Sequence, residues 1–165
     1  MKISKTKYIS YLAMFTLVAL GLSYLEGLIP PLTSIPGIKL GLANLAVIFA
    51  LYKFGVKSAF AVSLMRVFIS FLLFGSVLSL AYSFSGALFS ITVMAIMKKS
   101  GKFSEIGVSV AGATAHNIAQ ILVAVLIFSV SEILYYLPVL MISAVISGIF
   151  IGITGAVTVR RIKIK

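Results

Sequence analysis

The chain has 165 residues, 61% of them hydrophobic and 10% charged, with a formal net charge of +11. A soluble domain of this size could not hide so much apolar surface, so its solvent is lipid, and the basic excess does not call for nucleic acid. Cysteine and aspartate are absent and the three carboxylates are Glu26, Glu105 and Glu132, which excludes disulfide frameworks, thiolate metal centres and chemistry by paired aspartates.

Lys2, Lys5 and Lys7 precede an apolar stretch that runs to about Leu28. That is longer than a signal-peptide core and lacks a clear small-residue cleavage site, so it reads as an uncleaved first span. Apolar runs and breaks predict six helices, over 8–28, 39–53, 56–75, 76–98, 105–129 and 133–158. The second is short against the roughly 20 residues a span needs, which implies tilt or a partly buried loop before it. Pro30, Pro31 and Pro36 bar a continuous helix through 27–38. The break near Gly75 and Ser76 is the weakest.

With six spans and an inner N-terminus, 12 of the 14 basic residues fall on the cytoplasmic side. They are Lys2, Lys5 and Lys7, then Lys53 and Lys57, then Lys98, Lys99 and Lys102, and last Arg160, Arg161, Lys163 and Lys165. Lys39, read as a snorkelling anchor, is left outside, and Arg66 within the membrane. The positive-inside rule favours this arrangement, and five spans would break it. The expectation is an all-α, six-helix, N-in/C-in protein of the cytoplasmic membrane, one domain over 1–165. Tyr8, Tyr11, Tyr52, Tyr135 and Tyr136 fall near predicted interfaces, where a ring with a polar tip is favoured.

Small residues recur at helical spacing in three helices: Ser76, Ser79, Ser83, Gly86 and Ser90; Gly107, Ala111, Ala115 and Ala119; Ala144, Gly148, Gly152 and Ala156. Such rows let backbones approach closely and predict a compact bundle interior; a serine-lined path along the fourth helix is the alternative.

Arg66 stands in an apolar run, Ser58 to Gly75, that has no other charge. A guanidinium keeps its proton there and costs at least a few kcal/mol near the midplane. It needs a partner, a wet cavity or an anionic ligand. His116, Asn117 and Gln120 share one side of the fifth helix. At 1.5 Å rise per residue Arg66 lies roughly 14 Å from the cytoplasmic Lys57, and His116 and Gln120 lie at or beyond the midplane. Asn44 follows the outer Lys39 by five residues, and Glu26 is near the outer end of its helix. Arg66, His116, Asn117, Gln120, Asn44 and Glu26 are thus expected to form an outward-facing substrate site, with 27–38 as a lid above it. An Arg66–Glu26 ion pair is the competing reading. One histidine and no cysteine give no transition-metal site, and nothing in the sequence asks for a cofactor.

The segments Glu26-Gly-Leu-Ile-Pro30, Pro36-Gly-Ile-Lys-Leu-Gly-Leu-Ala-Asn44, Arg66, Ser85-Gly86-Ala87 and His116-Asn-Ile-Ala-Gln120 resemble the Gx transporter family. Its members are also catalogued as heptaprenyl diphosphate synthase component I. That family is similar to the substrate-binding S components of energy-coupling factor transporters. The resemblance implies a six-helix binding protein whose first outer loop closes over a small ligand, with ATPase and coupling subunits as partners. The first helix offers Ala13 with Leu17 and Ala19 with Ser23 where S components carry an Ala-x-x-x-Ala docking pattern. Prenyl chain elongation holds Mg²⁺ on aspartate-rich motifs, and ATP hydrolysis uses a phosphate loop. This chain has neither, so the expectation is a binding subunit without enzymatic activity. A non-catalytic accessory subunit in isoprenoid or quinone metabolism is the alternative.

Overall fold

The computed structural model describes residues 4–28, 41–74, 77–129 and 131–162. Their regular structure is helical throughout: α1 (Lys5–Leu28), α2 (Asn44–Lys53), α3 (Val56–Phe74), α4 (Val77–Ser100), α5 (Glu105–Phe128) and α6 (Leu137–Arg161), with a 3₁₀ turn over Ser131–Tyr136. Five of these helices are long and apolar enough to cross a membrane, and α2 is a shorter apolar helix. The protein is a multi-pass α-helical membrane bundle. The proposed lid, Lys39 and the Gly75–Ser76 break fall outside the described residues, except that Gly27 and Leu28 belong to the end of α1.

Two helix starts fall four or five residues later than expected. The second helix begins at Asn44, because Gly41 adopts a left-handed φ of 74° and Gly41–Ala43 form a turn. Asn44 N–H donates to Gly41 O at 2.8 Å and Leu45 N–H to Leu42 O at 3.1 Å. The sixth helix begins at Leu137, four residues later than predicted, because the 3₁₀ turn precedes it and Pro138 sits in its first turn, where a missing N–H costs nothing.

α2 is therefore a half-span. Its 10 residues rise about 15 Å, against a hydrocarbon core of about 30 Å. Ala46 to Leu51 are all buried, so the bundle surrounds α2 on every side. Phe15 of α1 stacks on Phe49 with ring centroids 4.6 Å apart, and Ile48 meets Gly155 of α6. Gly55, at φ 94°, closes the C-terminus in the manner of a C′ glycine, and Lys98 Nζ donates to Leu51 O at 2.5 Å.

The helices alternate in direction. Tyr8 and Ser58 share a 2.7 Å hydrogen bond between α1 and α3, Lys98 reaches the end of α2, and Arg160 pairs with Glu105 at 3.6 Å. One end thus gathers every described basic residue except Arg66, as the six-span count requires. Tyr8 and Tyr11 pack on Phe54 there, and Tyr52 lies under Lys98, while Tyr135 and Tyr136 are exposed.

The largest interfaces are α5 with α6 and α4 with α5. At the first, a β-carbon on Gly148 would fall 2.7 Å from Val110 Cα, and one on Gly152 2.7 Å from Ile106 Cα. The small row of α6 is a backbone-to-backbone contact, the main source of helix attraction in lipid. On α5 the close approach is instead at Gly112, against Met94 and Ser90; Gly107 meets neighbours at ordinary distances. On α4, Gly86 and Ser90 are buried, but Ser79 is exposed, so the serine row does not line one continuous path.

Candidate functional site

Where α2 stops halfway, the space beyond its N-terminus is a cavity of about 50 Å³. Glu26 from α1, Asn44 from α2, Arg66 from α3, and His116, Asn117 and Gln120 from α5 all line it. Gly41, Ala113, Ala144 and Ser147 complete the wall. The six sequence-predicted residues therefore come together from four helices.

Each arrives for a local reason. Asn44 is the first residue of α2, so its side chain stands at the helix mouth. The aligned peptide dipoles of α2 put partial positive charge there. Ala113, His116, Asn117 and Gln120 are one turn apart along α5 and share a face. Ser23 and Glu26 are related in the same way on α1.

The guanidinium of Arg66 donates from Nη1 to Ser23 Oγ at 3.1 Å. Its Nε is buried and makes no hydrogen bond among the described residues. Arginine has five N–H donors in a planar fork, so most of this fork is available to the cavity. Glu26 makes no ion pair with it. Its Oε1 accepts from Gly41 N–H at 2.6 Å, and Arg66 and Glu26 do not approach within the 4.0 Å of an ion pair. The competing ion-pair reading is thus replaced by two separate contacts around one cavity.

Asn117 is partly committed to structure, since Nδ2 donates to Leu140 O of α6 at 2.9 Å. Its carbonyl oxygen remains for the cavity. His116 reaches across to α4, where Gly86 leaves room for the ring. Sequence reasoning missed Ser147, Ser23 and this role of Gly86. The first two were legible as i±3 neighbours of Ala144 and Glu26; the third appears only when α4 and α5 are placed side by side.

The arrangement offers one strong cation, a carboxylate, an imidazole, carboxamides and a hydroxyl around one cavity. That set can orient an anionic group by charge-assisted hydrogen bonds. Comparison with curated proteins and with solved structures gives no significant match. Residues 15–158 match the family described as heptaprenyl diphosphate synthase component I, and the chain belongs to that family.

Proposed function

We propose that the protein is a non-catalytic binding component of the cytoplasmic membrane that takes a small acidic molecule from the outer side for uptake. The observation that carries this reading is the Arg66 fork, without an ion pair among the described residues, in a cavity shared with His116, Asn117, Gln120, Asn44 and Glu26. Burying a guanidinium that makes one hydrogen bond and no ion pair among the described residues is costly, and an anionic ligand group offsets that cost. Arg66 anchors the acid, His116, Gln120 and Asn44 give directional hydrogen bonds, and Glu26 holds the Gly41 turn at the mouth. Energy comes from ATPase and coupling subunits. Native mass spectrometry of the detergent-purified protein tests this: the wild type retains a small anionic molecule, and Arg66→Ala and His116→Ala lose it. Full retention by both variants sinks the assignment.

The family description favours a second reading, an accessory membrane subunit beside a soluble prenyl diphosphate synthase. Arg66 then meets a diphosphate head group. Affinity capture of the tagged protein separates the two: recovery of ATPase and coupling subunits supports uptake, and recovery of a prenyl synthase supports the accessory role.

A further inference from the structure

A second, smaller pocket continues from the cavity. It shares Gly41, Asn44, Ala113 and Ser147 with it and extends between α2, α4, α5 and α6 to Ser90 and Ser109. Its volume is about 10 Å³, the space of one water-sized group.

Hydroxyls in these helices usually donate to the carbonyl one turn back, as Thr92 does to Leu88 O at 2.7 Å and Thr114 to Val110 O at 2.9 Å. Ser90 and Ser109 do not. They are 2% and 4% exposed, both face the pocket, and neither makes a hydrogen bond with any described residue. Both hydroxyls open on the pocket, so their hydrogen bonds come from whatever occupies it. Two of them facing one water-sized space define a place that an oxygen or nitrogen atom stabilises.

Charge narrows the occupant. Among the described residues no charged side chain lines this lobe, so these offer nothing to hold an anion. The positive end of α2 and the adjoining Arg66 disfavour a cation. A neutral hydrogen-bonding group is what remains.

We infer that the lobe is a subsite for a neutral hydroxyl or carbonyl of the ligand whose acidic group lies at Arg66. This rests on the binding reading above and adds to it that the ligand has two ends, acidic and neutral polar. Along α5, Ser109 is 7 residues from His116 and 11 from Gln120, so the two ends are separated by about 10–16 Å of helix rise.

Matched probes test this: 8-hydroxyoctanoate to 12-hydroxydodecanoate against octanoate to dodecanoate, titrated into protein in nanodiscs. At the fitting length the ω-hydroxy acid binds about tenfold or more tighter than the plain acid, as expected when a site is built to bond a hydroxyl. Ser90→Ala/Ser109→Ala removes that advantage and leaves plain-acid affinity unchanged. Equal affinities at every length, or an advantage that survives in the double serine variant, overturns the subsite and leaves the Arg66 anchor standing. Plain acids that do not bind the wild type, or bind Arg66→Ala equally well, overturn the anchor and the subsite together.

Discussion

The imidazole of His116 rests against Gly86: a β-carbon at position 86 would lie 2.6 Å from its Cε1, 2.7 Å from Nε2 and 2.8 Å from Nδ1. The backbone of α4 is thus the seat of a side chain that belongs to α5. Gly86→Ala leaves the ring one direction to move, toward the cavity. We expect an overpacking cost of about 1–3 kcal/mol and faster modification by diethylpyrocarbonate, which reports on the single histidine of the chain. In a His116→Ala background the same glycine substitution has nothing to displace. A double-mutant cycle should then show coupling of about 0.5–3 kcal/mol; additive effects would exclude the seat.

Arg66 separates stability from binding. Arg66→Leu removes a charge that costs about 2.5–3.5 kcal/mol on an insertion scale, and loses one donor to Ser23. The variant should unfold at a temperature equal to or above that of the wild type while losing the retained anion. A marked fall in Tm would mean that the guanidinium is a structural tie instead.

The α5–α6 contact is expected to be intolerant. A methyl on Gly148 or Gly152 meets backbone atoms at 2.7 Å, and neither helix can yield without losing the contact over several turns. Gly148→Ala and Gly152→Ala should each destabilise by about 1–3 kcal/mol. Gly21→Ala is the control. Nothing lies within 4 Å of its added carbon, so it should be neutral or stabilising by about 0.5–1 kcal/mol. Thermal unfolding in detergent ranks the three, and equal tolerance at all positions would refute the contact.

Orientation can be read without removing native thiols, because the chain has no cysteine. Lys102→Cys stands at the basic end and Ser131→Cys at the opposite end. A membrane-impermeant maleimide added to whole cells should label Ser131→Cys at once, and Lys102→Cys only after permeabilisation. The reverse pattern would invert the topology.

Much of this was legible in the chain because lipid simplifies the code. Apolar runs fix helices, and basic residues fix which ends share a side. The six polar residues stood out because hydrocarbon makes each of them expensive, and depth arithmetic brought them to one level. What was not legible depended on neighbours. The start of α2 turns on Gly41 taking a left-handed φ, which no hydropathy pattern specifies. The competing reading paired Glu26 with Arg66, yet Glu26 bonds Gly41 N–H, which that turn presents to it. The row of small residues on α5 ran through Gly107, Ala111, Ala115 and Ala119, of which Ala119 is buried, whereas the close approach to α4 is at Gly112; period alone gives a stripe and not the position that packs closest.

The half-length of α2 has an electrical consequence. A charge bound at its N-terminus has passed through only part of the low-dielectric layer, and so through only part of the transmembrane voltage. One elementary charge crossing the full drop exchanges about 2.3 kcal/mol per 100 mV. At about half depth the exchange is roughly 1.2 kcal/mol per 100 mV, or about sevenfold in affinity. An anion arriving from outside moves against an inside-negative potential. Under the proposed uptake of an anion from outside, occupancy of this site should therefore rise on depolarisation and fall on hyperpolarisation.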